Sequence, residues 1–220
     1  ILFPPVLSAS APNLGYTQFI LQGFDDLPAL PFHAPDATIF SMHVRLATSH
    51  DILDCLRLDA SSDTRRVWQL DLRESREQIS ASLRVTALPR DLRLDYPAPG
   101  NALVMHWQRG YCLLVAEDLT DGGNLVGYAD VGPEPDMQTA WLWHLVVDRS
   151  RRRRGVGSAL LRAAMQWSSE HQLQRLMAPL QTQNDPGVRF LQRHGFAFCG
   201  FNDRYFDNGS VALFFGRELR

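Results

Sequence analysis

Residues 151–158 read Arg-Arg-Arg-Arg-Gly-Val-Gly-Ser and stand between a hydrophobic run at 140–147 and a helix-patterned segment that opens Ala159-Leu160-Leu161. Strand, glycine-bearing turn and helix in that order make an α/β arrangement with a phosphate-binding turn at the junction. Gly155 and Gly157 carry no side chain to hold a ligand off the main chain, so backbone N–H groups and the positive end of the helix can meet a diphosphate there. Arginine adds planar, charge-assisted donors that match phosphate oxygens in pairs. The turn lacks the Gly-Lys-Ser/Thr ending of a P-loop; Arg152, Gly155 and Gly157 set the spacing Arg-x-x-Gly-x-Gly instead.

Taken alone, an arginine run is a solvated basic patch or a nucleic-acid contact. The overall charge opposes the second reading, because Lys+Arg 22 against Asp+Glu 24 gives a formal net charge of −2 and no broad positive footprint. With 220 residues, 45% of them hydrophobic, the chain can bury a substantial core as one domain with an appendage. No stretch approaches the ~20 apolar residues of a membrane helix. The first Arg or Lys is Arg45, so the opening Ile1-Leu2-Phe3 lacks the positive segment that starts a signal peptide. Cys55, Cys112 and Cys199 are odd in number and widely spaced, which fits reduced, core-filling cysteines of a cytoplasmic protein and no metal site.

Residues 1–37 carry Pro4, Pro5, Pro12, Pro28, Pro31 and Pro35 and read as an extended N-terminal arm whose single strand-like run is 16–24. Residues 38–220 form the main domain. Residues 39–47 alternate as a first strand, and Ser49 has the character of an N-cap for a helix over 50–58. Between 62 and 100, Ile79, Ala81, Leu83 and Val85 recur at every second position, and Leu88-Pro89-Arg90 and Tyr96-Pro97 break the pattern farther along; the stretch reads as an elaborated loop and hairpin. Strands at 111–118 and 125–131 flank a turn at 120–124, and a strand at 139–147 puts Trp141, Trp143, Leu145 and Val147 on one face and Leu142, His144 and Val146 on the other. A helix over 155–171 aligns Val156, Leu160, Ala163, Ala164 and Trp167 on one stripe. A strand at 175–181 precedes a helix with Asp185 as N-cap, Pro186 at its first position and Gly195 as its terminator. Strands at 197–206 and 211–215 join at Asn208-Gly209.

A second signature, Asn184-Asp185-Pro186-Gly187 leading through Phe190-Leu191 to Gly195-Phe196, comes after the Arg152/Gly155/Gly157 turn. In that order the two motifs resemble the GNAT superfamily of acetyl-CoA-dependent N-acetyltransferases, over roughly residues 38–220. The resemblance implies an α/β fold with a mixed, mostly antiparallel central sheet flanked by helices, whose splayed strands form the acetyl-CoA cleft. It implies that main-chain groups of Leu145, Val146 and Val147 hold the pantetheine arm and the thioester carbonyl. Arg152 and the N–H groups of Arg153, Arg154, Gly155, Val156, Gly157 and Ser158 would bind the pyrophosphate, with Asn184 touching the cofactor from the next helix. Donors near the carbonyl polarise it and stabilise the tetrahedral oxyanion, and the acceptor amine attacks without an enzyme nucleophile.

One departure from the family pattern bears on the chemistry. Many members place a Tyr seven residues after the motif Asn to protonate the departing thiolate, and here that position is Leu191, which holds no proton to give. Tyr205, read as lying on the strand that runs back past the site, is the substitute acid. His144 is the candidate base, with the carboxylates Asp130, Glu134 and Asp136 as an alternative acting through water. Together with Asp71, Asp95 and Asp203 these acids would draw a cationic amine. Residues 67–71, 88–90 and 199–205 resemble the streptothricin acetyltransferase branch, which makes a primary amine of an aminoglycoside- or streptothricin-like antibiotic the expected acceptor. A ribosomal-type protein N-terminus is the alternative acceptor, and a non-catalytic acetyl-CoA-binding module the alternative role. Neither a nucleic acid nor a membrane is an expected partner; a homodimer is left open.

Overall fold

The computed structural model describes residues 42–95 and 100–219. The arm at 1–37, its strand-like run at 16–24, the start of the first strand at 39–41 and the Tyr96-Pro97 break lie outside the described residues. In chain order the elements are β1 (Met42–Leu46), α1 (Asp51–Arg57), β2 (Ser62–Glu74), β3 (Ile79–Leu94), α2 (Gly100–Gln108), β4 (Cys112–Asp118), β5 (Asn124–Glu134), β6 (Thr139–Val147), α3 (Val156–Glu170), β7 (Arg175–Gln181), α4 (Asp185–Arg193), β8 (Ala197–Asn202) and β9 (Ala212–Glu218). Seven strands form one sheet in the order β1-β4-β5-β6-β7-β9-β8, and β2 with β3 forms a separate antiparallel pair. Within the large sheet every pairing is antiparallel except β6 with β7, which the α3 crossover makes parallel.

The sheet buries two apolar layers. On one face Leu114, Ala116, Ala129, Val131 and Leu142 pack with Leu160, Leu161 and Ala164 of α3 and with Val188 and Leu191 of α4. On the other, Leu113, Val115, Tyr128 and Val146 pack with Cys55 of α1 and Leu103 of α2. Cys55 and Cys112 are core fillers, and burial pushes the Cys55 thiol up to about 12. Leu191 sits in this core, so the position that often holds a proton donor is spent on packing.

Several local expectations are corrected. Ser49 does not cap α1: its N-cap is His50, without a side-chain hydrogen bond, while Asp51 turns back to accept from Thr48 N at 2.6 Å and is clamped by Arg45 at 2.8 Å. The irregular stretch after 62 is a long regular hairpin, and Pro89 lies within β3 rather than ending it. The ladder jumps from Thr64↔Leu92 to Arg66↔Ala87, so 88–91 face Arg65 alone, in a bulge where the missing N–H of Pro89 costs no ladder bond. The helix α2 has no counterpart among the elements expected from sequence.

Asp185 does not cap α4. Asn184 does, its side chain accepting from Gly187 N at 2.9 Å. Tyr205 is not on a strand: β8 ends at Asn202, and Tyr205 lies in the connection to β9, which turns at Gly209 with φ +75° and a 2.7 Å bond from Gly209 N to Phe206 O.

The faces of β6 also differ from strict alternation. Its register with β5 runs Val131↔Leu142 and then Asp130↔His144, leaving Trp143 as the extra residue of a bulge. Ala140, Leu142, Leu145 and Val147 therefore pack on the α3 side. Val146 packs on the opposite side, where Trp143 and His144 both lie against His106 of α2.

Candidate active site

β6 and β7 pair only from Thr139 to Trp141 against Arg175 to Met177. Beyond Trp141 they part, and β7 continues alongside β9 as far as Gln181. The edge of β6 that β7 has left, over 142–147, opens a cleft in the sheet; the backbone groups of alternate residues point into it, while those of Val146 face Tyr128 of β5. The next turn in the chain lies at the mouth of this cleft. Asp148 accepts from Ser150 N at 2.9 Å and starts a 3₁₀ turn at Arg149–Arg151. Arg153 then adopts φ +65° and Gly155 φ +87°. Gly155 is the N-cap of α3 and supplies no side chain to its first N–H groups, so these donors and the helix dipole face outward. A Cβ at Gly157 would meet Phe190 and Val147 at 3.5 and 3.6 Å, ordinary van der Waals contact.

The arginines of the turn divide into anchors and free cations. Arg151 pairs with Asp118 at 3.0 Å and with Asp121. Arg149 pairs with Asp63 at the root of β2. Arg152 donates from Nε to Val147 O at 3.0 Å, and burial pulls its pKa down; its guanidinium braces the turn from behind rather than reaching outward as a phosphate donor. Arg153 and Arg154 are exposed, with no side-chain hydrogen bond among the described residues. Ser158 Oγ lies 3.0 Å from His194 Nε2, and His194 Nδ1 lies 2.9 Å from Phe190 O. A carbonyl only accepts, so Nδ1 carries the proton and Nε2 takes the hydroxyl proton of Ser158, leaving the Ser158 N–H for a ligand. The side-chain oxygen of Asn184 is likewise committed to its cap.

The long hairpin straddles the cleft mouth. Near its root, Ser61 Oγ meets Arg149 at 3.4 Å, and Arg149 N donates to Asp59 O at 2.9 Å, which ties it to the end of β6. Farther along, Trp68 N donates to Thr182 O at 2.8 Å and Trp68 Nε1 to Asp185 at 3.2 Å, which ties it to the end of β7.

On the α2 side of β6, three elements bring together a cluster that sequence reading identified only in part. Asp130 of β5 is 1% exposed, and its Oδ2 lies 2.6 Å from His106 Nδ1 and 2.8 Å from His144 Nδ1. Burial alone would raise the Asp130 carboxyl, but the hydrogen bonds from the two rings outweigh it and hold the group below its ordinary value. Its Oδ1 is buried without a hydrogen-bond partner among the described residues. Around the pair stand Tyr111 and Trp143, 4.9 and 5.7 Å from the His106 ring, and Trp141, stacked on Trp143 at 5.5 Å. Asp130 is therefore not an acid that draws a cation from solvent, contrary to expectation. Glu134 is engaged by Trp141 Nε1 at 2.9 Å, and Asp71, Asp95 and Asp203 are exposed on separate segments. His106 was missed because α2 was missed; Leu103, His106 and Trp107 at helical spacing were the available signal.

Two histidines and a carboxylate can hold a divalent ion. In a tetrahedral site with bonds of ~2.0–2.1 Å, however, ligand atoms stand about 3.3 Å apart. Contacts of 2.6 and 2.8 Å are the lengths of charge-assisted hydrogen bonds.

Tyr205 packs edge-on against Phe214 at 5.3 Å and Phe206 at 5.2 Å, and burial pushes its phenol up. Trp141 meets the same Phe214 ring at 5.9 Å, so Phe214 links Tyr205 to the aromatic wall beside His144.

Comparison with known proteins agrees with this geometry. The structure superposes on a nourseothricin acetyltransferase with a TM-score of 0.69 at 21% identity, over 81% of this chain and 99% of that one. It superposes on a putative streptothricin acetyltransferase from Bacillus anthracis, solved with acetyl coenzyme A, with a TM-score of 0.64 at 18% identity, over 81% and 98%. For the ribosomal-protein-S18-alanine N-acetyltransferase of Escherichia coli the values are 0.57, 13%, 81% and 94%. A comparison with curated protein sequences finds no match. Among the described residues no helix is long and apolar enough to cross a membrane. The model of the acetyltransferase (GNAT) family matches residues 81–196, just over half of the chain, from the long hairpin to the end of α4; the chain belongs to that family, as an N-acetyltransferase that uses acetyl-CoA.

Proposed function

We propose that this enzyme acetylates a primary amine of a small cationic molecule of the streptothricin or aminoglycoside kind, in a ternary complex with acetyl-CoA. The observation that carries the reading is the cleft between β6 and β7, with the helix-start donors of α3 at its mouth and His144 on the strand that forms its wall. The pyrophosphate rests on the N–H groups of 153–158, with Arg153 and Arg154 as outer cations. The pantetheine arm runs along the open edge of β6 at Leu145, Val146 and Val147, and Asn184 flanks it from α4. His144 takes a proton from the acceptor ammonium, and the freed amine nitrogen attacks the thioester carbon. Main-chain donors of β6 stabilise the oxyanion, and collapse breaks the C–S bond. The departing thiolate takes a proton from Tyr205, and the surplus proton that the acetylated nitrogen sheds restores the phenol through solvent. Likeness to two antibiotic acetyltransferases over nearly their full lengths supports the acceptor class, and the hairpin β2–β3 over the cleft mouth is the surface that would select it.

Likeness to a ribosomal-protein N-acetyltransferase supports a protein N-terminus as the second acceptor reading. Incubation with acetyl-CoA and a panel holding a streptothricin, an aminoglycoside, a polyamine and an alanine-initiated peptide, read by mass spectrometry, separates the two. Acetylation of the peptide alone would replace the first reading with the second. Tight binding of acetyl-CoA without transfer to any amine would make the chain a non-catalytic module, the role that Leu191 at the usual Tyr position favours.

A further inference from the structure

The geometry points to Asp130 as a positioning carboxylate that holds His106 and His144 together as Nδ1–H tautomers, so that the Nε2 lone pair of His144 is the atom that accepts the proton of the acceptor amine. This rests on the acetyl-transfer reading given above. Hydrogen-bond capacity decides the tautomers. An ionised carboxylate only accepts, so each ring nitrogen 2.6 or 2.8 Å from Asp130 Oδ2 must carry a proton. A neutral imidazole has one N–H, and with that proton on Nδ1 the basic lone pair is on Nε2. One oxygen of one residue thus sets the tautomer of both rings.

The arrangement is stiff. Asp130 sits on β5 directly opposite His144 on β6, and α2 supplies His106 from above the sheet. The side chains are 1%, 12% and 13% exposed for Asp130, His144 and His106, so water does not compete freely for the carboxylate. His106 fixes the rotamer of Asp130 by its bond to Oδ2, and Tyr111 and Trp143 flank the His106 ring. When His144 Nε2 gains a proton, the imidazolium stands beside an ionised carboxylate 2.8 Å away, and no further proton need move. A second protonated ring would leave a net positive charge in a largely buried site, so the pair serves one proton at a time. His106 is thereby a positioning residue, and the bulge at Trp143 is what brings His144 to the face where Asp130 waits.

The test reads tautomers and turnover in the same protein. Long-range proton–nitrogen NMR of histidine-labelled enzyme, assigned with the His106→Asn and His144→Asn variants, should show both rings protonated at Nδ1. Asp130→Asn should move at least one ring to the Nε2–H form and lower kcat by about a thousandfold or more, as loss of the orienting carboxylate does in the Ser-His-Asp triad. The KM for acetyl-CoA should stay within about twofold, since the cofactor turn is elsewhere. If Asp130→Asn does not fold, His106 carries the test: His106→Leu should lower kcat by tens-fold, and His106→Asn, whose amide can stand in for Nδ1–H, should restore most of it. Rings protonated at Nε2 in the parent enzyme would overturn the proposal, as would Asp130→Asn turnover within about threefold of parent. One equivalent of divalent metal retained through dialysis against chelator would also overturn it, because metal and proton cannot share Nδ1. A parent enzyme with both rings in the Nδ1–H form that acetylates no amine would sink the acetyl-transfer reading while leaving the hold of Asp130 on the rings intact.

Discussion

The turn at 148–158 and the cluster of His106, Asp130 and His144 lie on the same strand or beside it, yet they are built in opposite ways. The turn is contiguous, its outward-facing groups are main-chain N–H donors, and its side chains mostly point back to brace it, as Arg151 and Arg152 do. The cluster draws one side chain each from α2, β5 and β6 and has no function until all three are assembled. A site made of backbone is specified by conformation and tolerates many side chains. A site made of side chains is specified by packing and tolerates few. The first should therefore govern cofactor affinity and the second turnover, and the two should separate under mutation.

The largest effect that could break this division is at Gly155. Its φ of +87° is one that β-branched residues scarcely adopt, so Gly155→Val must rebuild the turn and redirect the first N–H groups of α3. Acetyl-CoA affinity by calorimetry should fall by about a hundredfold or more, and the thermal stabilisation by cofactor should vanish with it. Unchanged affinity with lost turnover would reverse the assignment of the two regions.

Tyr205→Phe should lower kcat by about a hundredfold, the usual worth of a positioned proton donor, and leave acetyl-CoA binding alone. Turnover within a factor of two of parent would leave water as the proton source. Arg152→Ala removes a charged donor from Val147 O and should raise the KM for acetyl-CoA by about tenfold with little change in kcat, which tests whether bracing from behind matters to a backbone site. Smallest is the pair of caps: Asn184→Ala should cost about 1 kcal/mol of stability in denaturant unfolding, whereas Ser49→Ala should cost nothing measurable, because only Asn184 caps a helix.

The same contrast explains how much of the molecule was legible in its sequence. β6 and β7 begin and end where their apolar patterns place them, and α3 falls within a residue of its expected bounds at both ends, because strict periodicity over a buried face leaves few alternatives. The helix α2 escaped notice because its nine residues, Gly100–Gln108, bury Leu103 while leaving Met105 exposed, a pattern too short and too mixed to separate from loop. His144 and Asp130 each stand out in the sequence, but as rivals for one role. Nothing in their spacing of fourteen positions reveals that a bulge pairs them across two strands, and nothing local links either to His106. The acidic residues at 71, 95, 130, 134, 136 and 203 read as a group only because sequence shows charge and not burial. Folding left Asp130 inside, gave Glu134 to Trp141 and scattered the others.

The extra residue at Trp143 has a consequence for how such a strand can change over generations. An insertion inside a strand ordinarily sends every later side chain to the wrong layer. Here one unpaired residue absorbs the offset, so Leu145 and Val147 keep company with Leu142 in the aliphatic layer while His144 stays with the aromatic one. Removing Trp143 would restore plain alternation without exchanging any remaining side chain between layers. The aromatic wall can therefore gain or lose a whole indole in a single codon step while the His144 ring and the core beneath it hold their places, a route by which that face of the sheet could be remodelled with the cleft between β6 and β7 left in place.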